Sequence, residues 1–138
     1  LAFVSKAIKS GVRLARGKKK LREIHGPGGE AVVDALAAIA PDLARYIVEF
    51  AFGDIYSRGG LTLKERQIAT VAALVAVGHA QPQLRSHIHG ALNVGCSRKE
   101  VLEIIIQMAV YAGFPAAANA ATSAQYVFHE RDAKGIKD

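Results

Sequence analysis

The chain has 138 residues, enough for one domain with a true core. It is 51% hydrophobic without Trp, and a single cysteine, Cys96, excludes an intrachain disulfide and any multi-cysteine metal site. The net charge of +6 sits at one end: residues 1–22 carry Lys6, Lys9, Arg13, Arg16, Lys18, Lys19, Lys20 and Arg22 and no acid, which leaves ten of the 18 bases against all 12 acids.

Residues 1–24 read as a basic N-terminal helical arm. "LAFVSKAIKSGVRLARGKKK" is amphipathic and acid-free like a transit peptide, but lacks the long apolar core of a secretory signal. Its cations suit nucleic acid, an anionic membrane or an acidic neighbour. No aromatic is interleaved in "RGKKKLR" for base stacking, so a solvated helix is the simpler reading and nucleic acid is not expected as a partner. "HGPGG", residues 25–29, breaks the arm. A helical domain is expected over 25–131, opening with a helix from about Glu30 to Ile39. Pro41 starts the next helix, where its missing N–H costs nothing, and that helix runs through "DLARYIVEFAFGDIYS" to the glycines near residue 60.

In "LTLKERQIATVAALVAVG", Thr62 and Glu65 have capping-box spacing and Gly78 is a C-terminal stop. Between Ile68 and Val77 only Thr70 is polar, so this helix is expected to be buried nearly all round. Another helix runs from Pro82 to Gly95. Ser97 and Glu100 form a second capping box that opens "RKEVLEIIIQMAVYAG", and Pro115 opens the last helix. The tail, 132–138, is expected to fray. No strand alternation and no membrane-length apolar window occurs. The fold class is all-α, a bundle of antiparallel neighbours joined by short loops. The apolar excess of so small a chain points to self-association. With one cysteine and no membrane span, a cytoplasmic location is the default.

The segment "PQLRSHIHGALNVG", residues 82–95, concentrates the candidate chemistry. His87 and His89 are two apart, which on a helix turns them roughly 200° from each other. They cannot share a metal there, and no metal site is expected. Leu84, Ile88, Ala91 and Leu92 make the apolar stripe. His87 lies on or beside it, as a part-buried imidazole able to exchange protons near neutral pH or as a core histidine satisfied by one partner. His89 lies on the other side, toward solvent or a subunit contact. Glu65 could deprotonate or orient a substrate, or simply cap its helix. Gln67 and Thr70 are polar positions on an apolar helix and need partners. Tyr111 ends an apolar helix, Arg58 and Arg66 suit a carboxylate, and Cys96 precedes a helix start, a place that lowers thiol pKa.

The pieces "LRSHIHGALNVG" and "VYAGFPAAANA", set in a pattern over about residues 20–130, resemble the carboxymuconolactone decarboxylase family. The resemblance implies an alkyl hydroperoxidase D-like helical bundle that assembles as a homo-oligomer, trimer or hexamer. It implies cofactor-independent decarboxylation of 4-carboxymuconolactone in aromatic-compound catabolism. The alkyl hydroperoxidase D branch uses Cys-x-x-Cys, a His four residues after the second Cys, and a Glu on the preceding helix. Here the cysteine positions are Ala80, Gln81, Pro82 and Gln83, so disulfide-cycling peroxidase chemistry is excluded. His87 matches the family histidine, and the family Glu falls nearest Gln67, with Glu65 two residues before it. His89 stands where the decarboxylase often has Arg.

The resulting expectation is a decarboxylase of a small lactone or carboxylic acid, without cofactor. His87 acts as general acid, and Glu65 or Gln67 orients imidazole or substrate. Arg58 or Arg66 holds a carboxylate, Tyr111 shapes the pocket, and His89, at the position of the family's arginine, is a further substrate-binding candidate. The alternatives are a non-catalytic oligomer that binds a partner through its arm, and a redox protein using Cys96 between subunits.

Overall fold

The computed structural model describes residues 2–138, with side chains from residue 11 onward. All regular structure among these residues is helical. The chain forms two compact units, Leu1–Leu61 and Thr62–Asp138.

The first unit holds α1 (Ala2–Ala37), α2 (Pro41–Tyr46) and a π-helical segment, Ile47–Ile55. Helix α1 kinks where "HGPGG" requires it: Gly26 adopts φ 62° and Pro27 follows. Pro41 opens α2 as expected, but the helix then widens to hydrogen bonds five residues apart, as from Tyr56 N–H to Ala51 O at 2.8 Å. The wider turn brings Val48 and Gly53, five residues apart, onto the face that meets α1. A Cβ on Gly17 would come within 2.0 Å of the Val48 carbonyl oxygen, and one on Gly53 within 2.7 Å of the Arg13 carbonyl oxygen. Around this close approach Leu21, Ile24, Ala44, Val48 and Phe52 are buried.

From residue 11 onward the basic arm packs through Gly17, Leu21 and Ile24, unlike the solvated helix expected, and Lys18 and Lys19 stay exposed. Arg13 holds Asp54 with two parallel hydrogen bonds, Nε to Oδ1 at 3.1 Å and Nη2 to Oδ2 at 2.6 Å. Arg16 donates to Asp54 Oδ1 at 3.0 Å and caps the Gly53 carbonyl at the end of the π segment. The hydrogen bond from Arg13, ahead of that from Arg16, holds the Asp54 carboxyl below its ordinary range. Arg22 pairs with Glu30, and Lys20 with Glu23. Four of the eight cations that suggested an external partner are answered inside the unit.

Replacing Gly17 by Ala is expected to cost about 2 kcal/mol, because the added carbon pushes α1 off the Val48 carbonyl. Gly11→Ala, which meets nothing within 4 Å, is the control and should be neutral or slightly stabilising. Equal denaturant midpoints for the two variants would contradict the close approach.

The second unit holds α3 (Leu63–Val77), α4 (Gln81–Asn93), α5 (Arg98–Ala112) and α6 (Phe114–Ala133). Both capping boxes form: Thr62 with Glu65, and Ser97 with Glu100. Gly78 and Gly113 stop α3 and α5 at φ 82° and 88°, angles that suit glycine. The core is Val71, Val75, Leu84, Ile88, Ala91, Leu92, Val101, Ile105, Ala120, Ala124 and Val127. Helix α3 is not buried all round. It buries one stripe, Gln67, Val71 and Val75, and leaves Ala69, Ala73, Ala76 and Val77 exposed. The short alanines give an all-apolar sequence with only one face bulky enough to pack. The tail expected to fray folds back instead: Asp138 pairs with Arg131 at 2.6 Å and with Arg98. No helix of the described residues is long and apolar enough to cross a membrane.

Candidate active site

Helix α3 starts at its capping box, so its phase is set from Thr62. Gln67 then heads the buried stripe, with Val71 and Val75 one and two turns on, and it is 0% exposed. Helix α4 buries Leu84, Ile88 and Ala91, and the residue just before Ile88 flanks that stripe. That residue is His87, half-buried. Its Nδ1 lies 3.0 Å from Gln67 Oε1. An amide oxygen only accepts, so the Nδ1–H of the imidazole donates. Nε2 is the ring nitrogen that Gln67 does not engage. The amide Nε2 of Gln67 is buried with no hydrogen-bond partner among the described residues, which costs about 1–3 kcal/mol until an acceptor arrives.

Of the residues singled out in the sequence, the structure brings together His87 and Gln67. Glu65 is two residues from Gln67 on the same helix and therefore points away from His87. Its carboxylate accepts the Thr62 backbone N–H at 2.7 Å and the Thr62 hydroxyl at 3.0 Å. These bonds, the backbone one first, hold its pKa below the ordinary value. The expectation that Glu65 works beside His87 is corrected by that commitment. Tyr111 is 78% exposed at the end of α5. Arg66 neighbours Gln67 in sequence on α3, and Arg58 lies in the first unit. Thr70 turns its hydroxyl to the Arg66 carbonyl at 2.9 Å.

His89 is partly buried. It turns to α6, where its Nε2–H donates to Glu130 Oε2 at 2.9 Å and its Nδ1 lies 3.4 Å from Arg131 Nη1. Both ring nitrogens are thus used in a helix seam, opposite the His87 flank. Arg131 is 2% exposed and also donates to Asn93 Oδ1 at 2.9 Å. Sequence reading missed this buried guanidinium, although the polar positions 81, 85, 89 and 93, four apart on α4, were its visible trace. The two histidines diverge, and no group of three His, Cys, Asp or Glu able to hold a metal occurs among the described residues. An open groove of about 450 Å³ between α5 and α6 is lined by Arg98, Leu102, Thr122, Phe128 and His129 among others, and His87 is not in its wall.

Cys96 is 3% exposed, and burial, with Glu100 nearby, pushes its thiol pKa up against the opposing pull of Lys64. A buried, protonated thiol is a poor nucleophile. Its place before a helix start does not activate it, and the redox alternative loses its reactive group.

An all-helical unit carrying one half-buried imidazole on a buried amide, with Ala80 to Gln83 where a thiol pair would stand, has the parts for proton transfer and lacks those for dithiol redox chemistry. The family model described as the carboxymuconolactone decarboxylase family matches residues 41–126, and the chain belongs to that family. Among its relatives is the 4-carboxymuconolactone decarboxylase of Acinetobacter baylyi, 36% identical over 64% of this chain and 66% of that protein. A nitrosuccinic acid decarboxylase of Metarhizium robertsii is 31% identical over 78% of this chain and 77% of its own length. An uncharacterized 15.0 kDa protein in the nqo9-nqo10 intergenic region of Paracoccus denitrificans is 35% identical over 71% and 74%.

Proposed function

We propose that the chain is a cofactor-independent decarboxylase of a small carboxylic acid, with 4-carboxymuconolactone or a related lactone acid as substrate and His87 as general acid. The observation that carries this reading is the pairing of His87 Nδ1 with the buried Gln67 amide. Two relatives named as decarboxylases support the reaction class.

The C–C bond to the carboxylate breaks and CO2 leaves. The bonding pair passes into the conjugated carbonyl system as a dienolate. His87, entering as imidazolium, delivers its Nε2 proton to carbon, and the neutral imidazole is reprotonated from solvent. Gln67 fixes the ring through Nδ1 without taking the proton, and its unpaired amide N–H is a donor for a substrate oxygen. Assembly as a homo-oligomer is supported by the exposed stripe Leu102, Ile106 and Val110 on α5, continued by Tyr111 and Phe114.

The test is purified protein with 4-carboxymuconolactone, followed by CO2 release and enol-lactone absorbance; no turnover would refute the substrate. A second measurement probes the amide. In Gln67→Glu the new carboxylate stabilises the imidazolium, so the high-pH limb of the kcat profile should move up by about one unit or more. An unmoved limb would remove Gln67 from its place beside the working histidine.

A further inference from the structure

Helix α4 presents a polar side chain to α6 at every fourth position: Gln81, Arg85, His89 and Asn93. Three of these rungs close with a hydrogen bond. Ser123 Oγ donates to Gln81 Oε1 at 2.7 Å, His89 donates to Glu130, and Asn93 accepts from Arg131. The fourth does not. The Arg85 guanidinium carbon stands 4.3 Å from the centroid of the Tyr126 ring. Its Nε is buried without a hydrogen-bond acceptor, and among the described residues no carboxylate pairs with it. By contrast Arg13, Arg16, Arg22, Arg45, Arg98 and Arg131 each hold an Asp or Glu. Glu130, the acid on the facing stripe of α6, is taken by His89 and by Lys134 at 2.8 Å.

A guanidinium stacked on an aromatic ring keeps its fork of donors in a fixed plane, the geometry that a carboxylate accepts with two parallel hydrogen bonds. The buried Nε–H of this fork has no acceptor, which is unfavourable until such a group arrives. We propose that Arg85, seated on Tyr126, is a binding site for a small carboxylate on the flank of α4 opposite His87. Side chains two apart on a helix diverge by roughly 200°, so a small molecule on Arg85 does not also lie on His87 of the same chain. The site is separate from the decarboxylation site and does not rest on that reading.

The experiment is a titration of acetate, and then succinate, into arginine-labelled protein while the Arg85 Nε–H resonance is followed by NMR. The resonance is assigned by its loss in Arg85→Lys. A saturable shift is expected in the parent, and the same titrations followed by calorimetry should show binding weakened about tenfold or more in Arg85→Gln and about threefold in Tyr126→Leu, where the stacking surface is lost. His87→Ala should bind as the parent does, whatever its activity. A resonance that stays put to about 50 mM succinate, weaker than any useful site, would overturn the proposal. So would unchanged binding in an Arg85→Gln protein with intact helical circular dichroism. An equal shift with chloride or inorganic phosphate at matched ionic strength would overturn the assignment to carboxylates.

Discussion

His87→Ala should lower kcat for decarboxylation by about 10²- to 10⁴-fold, the usual contribution of a positioned general acid. The imidazole is half-buried, hydrogen-bonded to Gln67 and set beside the apolar stripe, so its loss leaves the packing of Leu84, Ile88 and Ala91 in place. Circular dichroism and thermal midpoint should stay close to the parent while turnover falls. Because the proposed proton goes to carbon after CO2 has begun to leave, the loss should appear in kcat more than in KM. Exogenous imidazole should restore part of the rate. Parent-like kcat in a folded His87→Ala protein would rule out the assigned role.

The second large effect concerns stability. Arg131→Ala should destabilise the protein by about 3 kcal/mol or more, the range seen when one member of a buried charge pair is removed. Arg131 is 2% exposed and serves Asp138, Asn93 and His89 together, so its removal takes a hydrogen-bond donor from three polar groups at once. Lys134→Ala, which breaks an exposed pair with Glu130, should change stability by less than about 1 kcal/mol. Urea denaturation of the two variants against the parent decides the matter; equal effects would refute a buried anchor. Burial raises the Asp138 pKa, but hydrogen bonds from Arg98 and Arg131 outweigh it and the net shift is down. A depressed folded-state pKa means stability present above the unfolded value, about 3.9 for Asp, and lost as pH falls through the folded one. The gap between parent and Arg131→Ala should therefore narrow below about pH 4.

Much of the second unit was legible before the structure. Both capping boxes, the glycine stops and the four-residue apolar steps through Leu84, Ile88 and Leu92 are local signals, and local geometry obeyed them. The first unit was less legible for a physical reason. A reading at 3.6 residues per turn places Val48 and Gly53 on different faces, whereas the π-helical turn puts both against α1. The basic run also looked external because Asp54, the acid that Arg13 and Arg16 share, lies some forty positions away in sequence, where no window sees it. The histidine pair was half legible: spacing alone separated His87 from His89, but only the folded chain shows that the second is spent on Glu130 and Arg131. Glu65 and Gln67 illustrate the same limit. Two candidates on one helix cannot both face one imidazole, and the phase set at Thr62 chose the amide.

The two-sidedness of α4 bears on how this protein tolerates change. Substitutions on the flank facing α6, at Gln81, His89 and Asn93, should be filtered by a selection for heat resistance and pass largely unnoticed in a screen for turnover. Substitutions at His87 should do the reverse. A single thirteen-residue helix would then carry two nearly independent mutational records, and a library scored by both assays should separate into alternating columns along it.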